Sequence, residues 1–117
     1  LIYDYNNIFA KILKGEIPCD RVYEDDQVLA FKDINPKAPI HVLVIPKAPY
    51  ASLIDFTVRA TPDEIGNFFQ IVEKIAEELQ LTDQGFRLVM NNGADSGAEV
   101  DHFHVHIIGG KRLGGMA

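Results

Sequence analysis

"DRVYEDDQVLAFKDINPKAPIHVLVIPK", residues 20–47, decides the architecture. Two short β-prone runs, "DRVYEDD" (20–26) and "QVLAFKD" (27–33), meet at the acidic cluster Glu24 to Asp26, and this pattern predicts a hairpin. The second run ends at Asp33. The proline-punctuated link "INPKAPIH" (34–41) leads into "HVLVIPK" (41–47), which is almost wholly apolar, as expected of a central strand covered on both faces. His41 opens that strand and Lys47 closes it. Three strands follow one another with no helix between them, and such short connections favour antiparallel pairing.

Upstream, "NNIFAKILKGEIP" (6–18) predicts a short helix: Asn6 or Asn7 caps it, Ile8, Ile12 and Leu13 share a face, and Gly15 and Pro18 stop it. Downstream, "APYASLIDF" (48–56) is expected to be loop. Thr61, Pro62 and Glu64 then supply a hydroxyl cap, a first-turn proline and a carboxylate three residues after the cap. From there Ile65, Phe68, Phe69, Val72, Ile75, Ala76 and Leu79 recur at helical spacing, predicting the longest helix over 62–80. "FRLVMNN" (86–92) and "HFHVHIIGG" (102–110) read as the last two strands, joined by the polar, glycine-containing loop "NNGADSGAEVD". The order predicts an α+β fold: a five-stranded antiparallel sheet, with a long helix and a short N-terminal helix packed on one side.

The chain of 117 residues suits a single domain, 1–117. Eleven basic against seventeen acidic residues leave a net charge of -6, which gives no broad footprint for nucleic acid or an anionic membrane. The single cysteine, Cys19, excludes an internal disulfide framework and reads as a small packed thiol. "LIYDYNNIFAKILKGEIP" is too mixed to be a signal peptide or membrane span, so a cytoplasmic setting is expected.

Three of the four histidines alternate in "DHFHVHIIGG" (101–110). In a strand, His102, His104 and His106 face one side while Phe103, Val105 and Ile107 face the core. Taken singly, each histidine reads more readily as a packed or surface residue than as a catalytic one. Three in register are harder to assign to packing, because burying groups that titrate near neutrality costs desolvation energy.

A metal site and a phosphate site both deserve consideration. At about 3.3 Å per residue, the Cα atoms of His102 and His106 lie roughly 13 Å apart. A histidine reaches zinc only about 6 to 7 Å from its Cα, so one ion cannot take all three from a regular strand. Two of them with His41 leave adventitious zinc open, but no cofactor is required. An extended phosphate compound suits a row of imidazoles better. Neutral imidazole is a nucleophile and then a good leaving group from phosphorus. The central His104 is the candidate nucleophile, with one nitrogen attacking and the other held as a donor by a backbone carbonyl. Its neighbours are candidate donors to the phosphoryl oxygens and the departing group.

These residues resemble the histidine triad nucleotide-binding proteins of the HIT superfamily. "HFHVHII" is similar to the triad signature, and "IFAKILKGEIP", "VYEDDQVLAFKDINPKAPIHVLVIPK" and "GFRLVMNNGADSGAEVDHFHVHIIGGKRLGG" resemble the family's blocks in the same order. The resemblance implies a homodimer whose sheets join into a ten-stranded one. It also implies a purine nucleotide substrate or product such as AMP or GMP, and hydrolysis of adenosine phosphoramidates and related adenylates through a nucleotidyl-histidine. It assigns nucleophilic attack to His104, flanked by His102 and His106 and supported by His41. Asp33 would take the ribose hydroxyls, with Phe31 and Ile34 forming the base pocket. Asn91 would hold the phosphate or ribose side, and "GAEV", with Gly97, Glu99 and Val100, would close over the α-phosphate. From composition alone, Asp33 reads more readily as a turn former than as a ligand, and Asn91 reads equally well as a turn residue.

The chain departs from the animal-type pattern at Glu99, where a serine is usual, at Ala98, where a glutamine is, and at Asp101, where an aromatic is common. A carboxylate near a phosphate is repulsive, so Glu99 is expected to contribute its backbone N–H, and Asp101 to modulate the pKa of His102. The tail "KRLGGMA" lacks the tryptophan that some relatives use near the leaving group. Dinucleoside polyphosphate hydrolysis and a binding module with weak hydrolysis are the alternatives. Nucleotidyl transfer is disfavoured, because such enzymes carry glutamine where His106 stands.

Overall fold

Residues 20–47 fold as a hairpin followed by a central strand. The computed structural model describes residues 2–98 and 100–116. Strands β1 (Arg21–Glu24), β2 (Val28–Lys32), β3 (Ile40–Pro46), β4 (Phe86–Val89) and β5 (Val105–Gly109) form one sheet in the order β1-β2-β3-β5-β4, with every neighbouring pair antiparallel. The apolar run occupies the middle of this sheet as β3, buried from His41 through Pro46.

Alternation along β2 and β3 divides the core. Val28, Ala30, Val42 and Val44 pack with Phe56 of helix α2 (Leu53–Arg59) and Phe68, Val72 and Ile75 of α3 (Pro62–Glu78). Leu29, Phe31, Leu43 and Ile45 pack on the opposite face with Phe9 and Ile12 of α1 (Ile8–Leu13). The expectation that the helices share one side is thereby corrected. A strand apolar at every residue needs cover on both faces, and α1 supplies the second.

Helix α3 begins as its sequence predicts, with a capping box: Thr61 Oγ1 accepts the Glu64 N–H and Glu64 Oε1 accepts the Thr61 N–H. It ends at Glu78 instead of reaching Gln80, which adopts φ +61°, a left-handed conformation that terminates helices. Thr61→Ala is expected to lower stability by about 1 kcal/mol, read from urea midpoints, since it removes one half of the cap. The expected loop 48–56 contains the start of α2. Ser52 Oγ accepts the Asp55 N–H there, and Arg59, one turn further on, pairs with Asp55 at 2.6 Å. The pairing holds the Asp55 carboxyl down at about 2. β4 stops at Val89, short of the predicted 86–92, and β5 starts only at Val105. No helix among the described residues is long and apolar enough to cross a membrane.

Candidate active site

A cavity of about 1120 Å³ lies on the α1 face of the sheet. Leu43, His106 and Ile108 form its sheet side, and Ile8, Phe9 and Ile12 of α1 form another wall. The wall is completed by the Asp33–Lys37 connection and by Asn91, Gly97, Ala98 and Val100 of the long loop. His106 pairs in register with Leu43 and His41 with Ile108, so strand alternation carries both histidines to the face that α1 covers. Phe103, Val105 and Ile107 point the other way into the α2–α3 core, as the sequence pattern predicts.

Backbone partners assign a proton to each ring, because a carbonyl only accepts and an amide N–H only donates. His104 Nδ1 lies 2.7 Å from the His102 carbonyl and therefore donates its hydrogen there. Its Nε2 is left with the lone pair. His41 Nδ1 accepts the Lys37 N–H at 3.0 Å, so His41 carries its hydrogen on Nε2 and donates it to His106 Nδ1 at 2.8 Å. His106 in turn keeps its own hydrogen on Nε2. Asp33 Oδ2 stands 3.4 Å from His41 Nε2, while Asp33 Oδ1 accepts the Asn35 N–H at 2.8 Å. Asp33 is thus both the turn former its surroundings suggest and a carboxylate of the site.

All four rings are held neutral at pH 7. Burial pushes His102 and His106 down to about 4, and lowers His104 and His41 as well. For His41, the Asp33 carboxylate opposes burial without overcoming it. A neutral His104 is the form that can attack an electrophile.

His102 stands elsewhere than the sequence reading places it. The residue is fully buried and precedes β5, where the chain bends, so the regular three-histidine row does not form. Its Nε2–H donates to the Pro46 carbonyl at 2.7 Å, and its Nδ1 accepts from the Tyr3 hydroxyl. With both nitrogens engaged by the protein, its ring is no donor to a ligand; its carbonyl acts instead, by orienting His104. Asp101 is exposed and is not among the causes of the His102 shift, which are burial, the Pro46 carbonyl and His104.

Phe31 is buried at the cavity wall against Phe9, with ring centroids 5.6 Å apart, whereas Ile34 is 87% exposed at the rim. Asn91, Gly97 and Val100 line the cavity; Glu99 lies outside the described residues. Cys19 is half-buried and also reaches the wall. Sequence reasoning missed Tyr3, Lys37 and Pro46, whose contribution is a hydroxyl or a backbone group, and the Phe9 ring, whose centroid lies 5.0 Å from that of His104. Only Phe9 had a signal, as an apolar residue of the predicted short helix.

Asp33, His41 and His106 bring three ligand-type atoms within 4.8 Å of one another. The donor set suits zinc, but the protonation does not. A metal on His41 Nε2 would move the hydrogen to Nδ1, against the Lys37 N–H that already points there.

The HIT domain family model matches residues 14–113. An uncharacterized HIT-like protein of Azospirillum brasilense is 49% identical over 114 residues, 97% of this chain and 93% of its own. The purine nucleoside phosphoramidase of Escherichia coli (strain K12) is 42% identical over 109 residues, 93% of this chain and 91% of its own. A histidine triad protein from Clostridium difficile superposes with a TM-score of 0.86 at 44% identity, over 99% of this chain and 100% of that one. Matched over most of its length and folded like a solved histidine triad protein, the chain belongs to the HIT domain family.

Proposed function

We propose that this chain is a purine nucleoside phosphoramidase that hydrolyses adenosine phosphoramidates and related adenylates through a nucleotidyl-His104 intermediate. The observation that carries the reading is the free Nε2 lone pair of His104 beside the cavity, fixed there by the Nδ1–H bond to the His102 carbonyl. Nε2 forms a bond to the α-phosphorus as the P–N bond breaks, and the departing amine takes its proton from solvent. The Nε2–H of the neutral His106 ring, oriented through the His41 bond to its Nδ1, is a hydrogen-bond donor for the phosphoryl oxygens. Water then attacks the phosphorus, the N–P bond breaks, and AMP or GMP is released.

Asp33 Oδ2 is the acceptor for the ribose hydroxyls, Phe31 and Ile34 hold the base, and Asn91, Gly97 and Val100 close over the phosphate side. The activity of the Escherichia coli relative supports the assignment. The chemistry needs no metal, and the His41 proton placement disfavours adventitious zinc at this cluster. The reading extends to a homodimer. β4 is an edge strand, and Phe86, Leu88 and Met90 are exposed at alternate positions along it and just beyond, an apolar edge of the kind that pairing with a second copy would cover.

Steady-state kinetics test the substrate class. The value of kcat/KM for adenosine or guanosine phosphoramidates is expected to exceed that for diadenosine polyphosphates by at least about tenfold, or 1.4 kcal/mol of transition-state stabilisation. A preference for the polyphosphates would move the chain to that sister activity. Slow turnover of every compound, with tight AMP binding, would make it a binding module.

A further inference from the structure

The Tyr3 phenol is placed with more specificity than its position ahead of the first helix requires. Its oxygen lies 2.5 Å from His102 Nδ1, and its ring stands edge-on to the imidazole at 5.5 Å and 72°. Since His102 Nε2–H is committed to the Pro46 carbonyl, Nδ1 is the bare acceptor of a neutral, fully buried ring. Tyr3 O–H is the donor that satisfies it. The segment is itself tied down. Asp4 accepts the N–H groups of Asn6 and Asn7, Asn7 caps α1, and Tyr5 packs against Tyr3 with centroids 4.8 Å apart.

We propose that Tyr3 is a positioning residue for His104. Its hydroxyl fixes the His102 ring, and with it the His102 carbonyl that selects the His104 tautomer. One peptide unit links the two residues. The carbonyl of that unit takes the His104 Nδ1–H, and its N–H, on Phe103, donates to the Tyr50 carbonyl at 2.7 Å. The unit lies ahead of β5, so no sheet ladder holds it. Without the hydroxyl, His102 Nδ1 becomes a buried acceptor with no partner, a costly arrangement that the ring relieves by turning. Turning the ring shifts the backbone that carries it and loosens the restraint on His104. The kinetic part of this inference rests on the phosphoramidase reading; the tautomer part does not.

Tyr3→Phe removes only the hydroxyl and keeps the aromatic packing. In the variant, kcat for adenosine phosphoramidate is expected to fall about tenfold with KM within about twofold, the scale of one lost orienting hydrogen bond. In parallel, ¹H–¹⁵N spectra of the imidazoles, recorded without substrate, are expected to show His104 as a single Nδ1–H tautomer in the parent and as a mixture in the variant. A parental kcat, a rise confined to KM, or an unchanged His104 tautomer overturns the proposal. If the parent itself turns over no phosphoramidate, the functional reading fails, and the tautomer comparison alone decides the role of Tyr3.

Discussion

His104→Ala is expected to lose phosphoramidate turnover by roughly a thousandfold or more, because removing a covalent nucleophile leaves only the binding and orientation of the substrate to act. AMP affinity should change little, since Asp33, Phe31 and the Asn91 side of the cavity are untouched. Turnover of a fluorogenic adenosine phosphoramidate and calorimetric titration with AMP measure the two quantities separately. Parental turnover in the variant would remove His104 from the role of nucleophile. A loss of binding as large as the loss of rate would make the ring a ligand contact instead. The lowered pKa of the ring adds a condition: the acid limb of kcat/KM should fall below the ordinary histidine range, because burial disfavours the charged form of His104.

The second large effect is on stability. His102 is pushed down to about 4, first by burial, with the Pro46 carbonyl opposing and His104 adding to the shift. An unfolded histidine titrates near 6.5. Between these values the unfolded chain binds a proton that the folded chain refuses, so stability is full above about pH 6.5 and drains as pH falls towards 4. For His102 the loss across the window is about 3 kcal/mol. His106 titrates in the same direction and, being more open to solvent, contributes less. Asp55, held at about 2, gives up its contribution only below the unfolded carboxylate pKa, outside this window. Urea midpoints from pH 7 to 4.5 should trace the decline, and His102→Gln should flatten much of it. A parental profile flat across that range would mean that the ring accepts its proton in the folded protein.

The readable parts of the chain were those whose signals are local. Thr61, Pro62 and Glu64 specify the start of α3 within four residues, and the unbroken apolar run of β3 specifies a strand covered on both faces. The same run implied a helix on the second face, which the reading of α1 overlooked. Helix α2 was illegible because it is two turns long with one buried apolar residue, Phe56; only Ser52, Asp55 and Arg59 betrayed it. Alternation correctly predicted which side chains of 102–107 enter the core at Phe103, Val105 and Ile107, but it could not show the bend that withdraws His102. The need for a backbone carbonyl on His104 was legible from imidazole chemistry. Its source at His102, and the Lys37 N–H that sets the proton on His41, depended on tertiary geometry.

The bonds that shape these rings span great lengths of chain. His102 meets Tyr3 across 99 residues and Pro46 across 56, and His41 meets His106 across 65. Each closure is paid for in loop entropy before any of the three imidazoles is held in place. The tautomers are therefore among the last properties the protein acquires as it folds, and catalytic competence should lag behind the appearance of helical signal in refolding. A chain nicked in the 48–60 connection could keep much of its secondary structure and still lose the register between its two halves on which the nucleophile depends.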